Sequence, residues 1–139
     1  HDENAFLLDG VSGHAGIFST SYDLAKYAQL HLNGGTWLGN RLFSFNRIDE
    51  FTKRQELPKG SDRALGWDTP SRNGKSSAGD YFSDHSYGHL GFTGTSLWID
   101  QENEVIVVLL TNRVHPTRET GGMYAVRRQF HTEIMKAIL

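Results

Sequence analysis

Side chains able to do chemistry concentrate in Gly88-His89-Leu90-Gly91-Phe92-Thr93-Gly94-Thr95, which sets one imidazole and two threonine hydroxyls among three glycines. Glycine has no Cβ, so a ligand or a second strand can lie directly against its main chain. The run Ser96-Leu97-Trp98-Ile99-Asp100 follows at once and reads as a strand that would hold the segment in place. The spacing predicts a ligand-facing strand edge with His89 as its polar group. The alternative is an ordinary Gly-rich turn leading into a strand.

Other catalytic signals are sparse. A zinc site needs three or four ligands, and the seven histidines (1, 14, 31, 85, 89, 115 and 131) form no H-E-x-x-H or H-x-H pattern. His85 and His89 are four apart, but glycine and strand signals surround them, so neither a metal nor a cofactor is expected. His14 lies in a Gly-rich turn, where it can line a pocket or serve the turn itself. No phosphate-binding G-x-x-x-x-G-K-[ST] loop and no G-x-S-x-G elbow occurs. A serine activated by lysine requires Ser-x-x-Lys, and every serine fails that test; Ser44 meets Arg47, whose guanidinium stays protonated. The chain therefore carries no evident nucleophile–base pair of its own.

Composition narrows the class further. The 139 residues suffice for one domain, 1–139, with a real core. A net charge of −2 and the lack of a Lys/Arg block argue against nucleic acid as a partner. No apolar run approaches the roughly 18 residues of a membrane span. With no cysteine, disulfides, thiolate metal sites and a cysteine nucleophile are excluded, and the compartment stays open. The chain begins at His1 rather than Met, so it is expected to be a piece of something longer.

The elements that must position the segment follow from periodicity. Residues 1–18 are Gly-rich and predict a tightly turned loop. Thr20 can cap a helix over 20–32, with Leu24, Tyr27, Ala28 and either His31 or Leu32 on its buried face and Asn33-Gly34-Gly35 ending it. Ser44 can cap a second helix, about 45–53, with Phe45, Ile48 and Phe51 as its apolar face. Ala64–Asp68 reads as a short strand and 71–80 as a polar loop of the kind that walls binding sites. Two strand-like runs joined by Asp100-Gln101-Glu102-Asn103 predict a hairpin over about 95–112. Val105–Leu110 is continuously apolar, which predicts a central strand covered on both faces. A final helix over 120–138 would bury Met123, Val126, Phe130, Ile134 and Ile138, with Arg127, Arg128 and His131 on its other faces. The fold class is α+β: an antiparallel sheet around the hairpin, packed by three helices.

Three blocks carry a family pattern: Leu8-Asp9-Gly10-Val11-Ser12-Gly13-His14-Ala15-Gly16-Ile17-Phe18-Ser19-Thr20 leading to Asp23-Leu24-Ala25; Ala64-Leu65-Gly66-Trp67-Asp68; and Gly88 through Asp100. The tail Val108 to Pro116 agrees with them. In these blocks the chain resembles the C-terminal part of the serine β-lactamase and penicillin-binding-protein-like family, in its serine-hydrolase and esterase branch. The resemblance implies a partial domain, whose partner is the missing N-terminal half of the same domain, and a small-molecule or cell-wall peptide substrate. It also fits a parent exported to the periplasm or cell envelope. His89-Leu90-Gly91 stands where the family has its third active-site motif, Lys-Thr-Gly or His-x-Gly. By that resemblance His89 would orient the catalytic tyrosine and contact substrate. The N–H of Phe92 would donate to the oxyanion, while Leu90, Gly91 and Thr93 would line the substrate. The family's Ser-x-x-Lys and Tyr-x-Asn motifs lie outside this chain. Ser44-Phe45-Asn46 looks like the second but falls after the loop it should precede. Leu90 replaces the usual hydroxyl residue, which removes one substrate hydrogen bond. A piece lacking half its domain should expose apolar surface and self-associate. A non-catalytic peptide- or glycan-binding module and a purely structural domain are the competing readings.

Overall fold

The computed structural model of the chain describes residues 2–119 and 121–139. In chain order its elements are α1 (Glu3–Leu7), α2 (Ser21–Leu32), the short pair β1 (Thr36–Trp37) and β2 (Asn40–Arg41), α3 (Phe45–Thr52), β3 (Ser86–Leu90), β4 (Ser96–Asp100), β5 (Val105–Leu109) and α4 (Met123–Ile138). The predicted α+β class holds, as do the helices begun by hydroxyl caps. Thr20 Oγ1 accepts from the Asp23 N–H at 3.2 Å, and Ser44 Oγ from the Arg47 N–H at 3.3 Å. Each satisfies a donor that the first helical turn would otherwise leave open. Within the expected N-terminal loop the chain forms α1, capped by Asp2, whose carboxylate accepts from the Ala5 N–H at 2.8 Å.

The main sheet is antiparallel in the order β3-β4-β5, with Tyr87 opposite Ile99, His89 opposite Leu97 and Trp98 opposite Val107. Alternation sorts its side chains onto two faces. Tyr87, Leu97, Ile99 and Ile106 meet Ala28 and Leu32 of α2, together with Trp67. Trp98, Val105 and Val107 meet Met135, Phe130 and Ile134 of α4, with Ala78 and Phe82 from the long loop. The sheet is thus a middle layer between two helices.

Three expectations require correction. The predicted hairpin forms, but its central strand is β4; the apolar β5 is an edge, with no second partner among the described residues. An apolar run records burial of side chains, which β5 achieves in part on both faces, and says nothing of how many neighbours its backbone has. Ala64–Asp68 is no strand. It closes a turn through the Ala64 N–H to Trp67 carbonyl bond, and Asp68 alone pairs with Gly88 on the outer edge of β3. The third correction concerns α4, whose first predicted residue, Thr120, lies outside the described residues. Its buried positions are Arg127, His131, Thr132 and Met135, whereas Val126 and Ile138 are exposed. The helix is rotated from its apolar stripe because the polar residues find fixed partners inside. His131 Nδ1 donates to the Ser77 carbonyl at 2.7 Å, and its Nε2 accepts from Ser96 Oγ at 3.1 Å.

These contacts make stability depend on pH. Burial, first of all, pulls His131 below the ordinary imidazole pKa of 6.5, and burial does the same to His31, whose ring nitrogens have no hydrogen-bond partner among the described residues. Below pH 6.5 the unfolded chain therefore binds protons that the folded chain refuses, so stability should fall as pH drops. The slope is up to about 1.4 kcal/mol per pH unit for each histidine. Urea midpoints compared at pH 7.5 and 5.5 should show the loss, and His131→Gln should flatten it. Equal midpoints at the two pH values would contradict the assignment.

Candidate active site

β3 delivers the candidate residues to the edge of the sheet. Because Tyr87 must face the α2 side, alternation sends His89 to that same side and Leu90 to the α4 side. His89 is exposed, and its Nδ1 donates to the Leu90 carbonyl at 2.9 Å. Since a carbonyl only accepts, the neutral ring keeps its Nε2 lone pair available. The strand then breaks at Gly91, and a tight turn returns the chain to β4. The Gly91 N–H donates to the Thr95 carbonyl at 2.8 Å and the Gly94 N–H to the Gly91 carbonyl at 3.0 Å. A Cβ at Gly91 would collide with Thr95 Oγ1, and Gly94 holds φ at +103°, so the turn requires glycine at both places.

Two arginines hold this turn from behind. Arg113 donates from Nε to the Phe92 carbonyl at 2.6 Å, and its guanidinium lies 4.4 Å from the centre of the Phe92 ring. Arg127 reaches from α4 and is only 8 % exposed. Its Nη2 donates to the carbonyls of Gly91 at 2.5 Å and Thr95 at 2.9 Å, and its Nε to that of Gly94 at 3.2 Å. Burial, and secondarily the Arg113 charge, lowers the Arg127 pKa from its usual value.

An open cavity of about 370 Å³ adjoins the turn, lined by Leu90, Gly91 and Phe92 together with Arg113, Tyr124 and Arg127. The structure therefore brings together three of the sequence-predicted site residues. His89 and Thr93 are not among the residues lining that cavity. Neither arginine stands out in the sequence, whose periodicity sets Arg127 off the apolar face of its helix. The available signal was its spacing from His131, one helical turn away.

A second polar cluster sits on the N-terminal segment. Ser12 Oγ donates to His14 Nδ1 at 2.5 Å, and His14 Nε2 donates to Asp2 Oδ1 at 3.0 Å. The order resembles a nucleophile, base and carboxylate. Yet His14 is solvent-exposed and Ser12 only half-buried, and the Asp2 oxygen that meets His14 is also the α1 cap. The cluster acts as a clasp between α1 and the following loop. Among the described residues no group of three or more histidine, aspartate or glutamate side chains is placed to hold a metal ion.

A sheet flanked by two helices, with a Gly-rich turn at the end of an edge strand, is the frame of a β-lactamase-like domain. Residues 1–131 match the family model described as "Beta-lactamase", and the chain belongs to that family. It is 42% identical over 120 residues to a "Putative D-alanyl-D-alanine carboxypeptidase" of Salmonella gallinarum, and 41% identical to a like-named protein of Salmonella paratyphi B. Each match covers 83% of this chain and 27% of the relative, so the chain spans about a quarter of the length of these relatives. A solved structure of a β-lactamase from Mycobacterium bovis superposes with a TM-score of 0.64 at 24% identity, over 87% of this chain and 43% of the other. That likeness concerns the fold.

Proposed function

We propose that this chain supplies one wall of the acyl-transfer site of a serine hydrolase that cleaves an amide or ester, with a D-alanyl-D-alanine type of cell-wall peptide as the leading substrate class. The observation that carries the reading is the Gly91–Thr95 turn at the end of the edge strand, whose carbonyl oxygens are held by Arg113 and Arg127. In this reading a serine from elsewhere in the parent attacks the substrate carbonyl carbon. The Phe92 N–H donates to the oxygen that becomes negative, and the amine or alcohol leaves with a proton. Water then releases the acyl group from the serine. A preorganised donor of this kind contributes about 3 kcal/mol to lowering the barrier. His89, with Nε2 open, orients the catalytic tyrosine or contacts the substrate. Leu90, Gly91 and Thr93 form the edge along which substrate lies.

The missing part of the domain is the chain's first partner in this reading. β5 leaves an unpaired edge among the described residues, and Phe6, Leu7, Val11, Ile17 and Phe18 of the N-terminal segment are each at least 77 % exposed. An apolar surface of that kind is covered in a whole domain, and an isolated piece would self-associate through it. One feature weighs against a β-lactam as the substrate: Leu90 lacks the hydroxyl usual at that place, and with it a substrate hydrogen bond. The deciding experiment treats the full-length protein with a fluorophosphonate or a labelled penicillin. Covalent labelling of one serine is the expected result. A folded protein that takes no label from either reagent would leave the binding and the purely structural readings.

A further inference from the structure

We infer that Arg127 is a positioning residue for the oxyanion donor, holding the peptide unit that carries the Phe92 N–H from its opposite end; the inference rests on the hydrolase reading above. The Gly91 carbonyl and the Phe92 N–H belong to one planar peptide unit and point in opposite directions across it. Fixing the direction of that carbonyl therefore fixes the direction of the N–H. Arg127 Nη2 donates to the Gly91 oxygen at 2.5 Å, from a side chain only 8 % exposed.

The grip extends through the whole turn. All five carbonyl oxygens from Gly91 to Thr95 accept hydrogen bonds: Gly91, Gly94 and Thr95 from Arg127, Phe92 from Arg113 Nε, and Thr93 from the Arg113 N–H at 2.9 Å. A Gly-rich turn of this length would otherwise sample several backbone states, because two of its residues have no Cβ to restrict them. A cationic donor on the carbonyl side also polarises the amide, making the N–H on the other side a stronger donor. Arg127 has no carboxylate partner among the described residues; its acceptors are main-chain oxygens of the turn. A guanidinium whose hydrogen bonds all go to one short loop is built to hold that loop. The planar fork matters: lysine keeps the charge, but its single ammonium cannot match the directions of the guanidinium donors.

The test uses the full-length protein, with Arg127→Met and Arg127→Lys, an ester substrate, and an arylboronic acid whose bound hydroxyl occupies the oxyanion position. For Arg127→Met we expect kcat to fall by about ten- to a hundredfold, the scale of a misplaced oxyanion donor, with KM within about threefold. Boronate affinity should fall in parallel with kcat, and Arg127→Lys should recover only part of the loss. If Arg127→Met does not fold, the same comparison is made on Arg127→Lys. A folded variant with kcat and boronate affinity within twofold of the parent overturns the inference, as does a loss confined to KM. Failure of the parent protein itself to take a covalent label would sink the hydrolase reading instead, so the two failures are told apart.

Discussion

Asp100→Ala is expected to destabilise the folded protein by about 3–5 kcal/mol, because a buried acceptor with several donors leaves all of them unsatisfied when it is removed. Asp100 is 0 % exposed at the end of β4. Its carboxylate accepts from the Ser83 N–H at 2.9 Å and Ser83 Oγ at 2.7 Å. It also accepts from the Glu102 and Asn103 N–H groups at 3.1 Å each and Asn103 Nδ2 at 2.9 Å. These bonds join the hairpin turn to the segment that enters β3, so one side chain ties the start of β3 to the end of β4. Burial alone would raise its pKa, but the donors outweigh burial and hold it below 3.8. The stability it provides is therefore complete above that value and is lost as pH falls through the lowered one. Asp100→Asn keeps one oxygen acceptor and should fall between the parent and the alanine variant. Urea denaturation of the three proteins at pH 7 checks this order; an alanine variant within 1 kcal/mol of the parent would refute the network's importance.

Gly88→Val should have a comparable or larger effect, about 3 kcal/mol or more, as expected when a branched side chain is forced into filled space. A Cβ at position 88 would lie 2.5 Å from the Trp98 ring and would overlap the Leu97 carbonyl. Trp98 cannot retreat easily: it is 1 % exposed and packs against Phe82 and Met135. Gly88 also exchanges both main-chain hydrogen bonds with Asp68, at 2.7 and 2.9 Å, so displacing it detaches the turn beyond the sheet edge. Combining Gly88→Ala with Trp98→Leu should restore part of the stability that Gly88→Ala loses, because the two positions share one space. Simple additivity of the two losses in thermal unfolding would argue against the clash.

Helix caps and the hairpin, set by residues close together in the chain, are legible in the sequence. Thr20 and Ser44 cap the helices they were expected to cap, since a cap is decided within four residues. The hairpin was legible from two apolar runs and a polar turn. The His89 edge was legible from glycines flanking a lone imidazole, together with a family pattern. What stayed hidden depended on partners far away in the chain. Nothing near Val105–Leu109 tells whether a strand pairs on its second side, and among the described residues β5 has no partner there. Nothing near Arg127 shows that its acceptors lie more than 30 residues away, at Gly91, Gly94 and Thr95. Hydropathy therefore assigned that guanidinium to the wrong face. Asp100 does close its strand as the sequence predicts, but its bond to Ser83, 17 residues away, is not legible there.

The turned-in face of α4 has an effect on tolerance in the mechanical sense. Arg127 bears on the turn after β3, His131 on Ser96 and the Ser77 carbonyl, and Thr132 Oγ1 accepts from the Asp80 N–H at 3.2 Å. Two irregular loops and the central strand are thereby referred to one straight rod, within a turn and a half of helix. Errors of position do not accumulate from loop to loop along the chain, because each is measured against the same datum. A wall made largely of glycine and turns can in this way keep the alignment of a regular element.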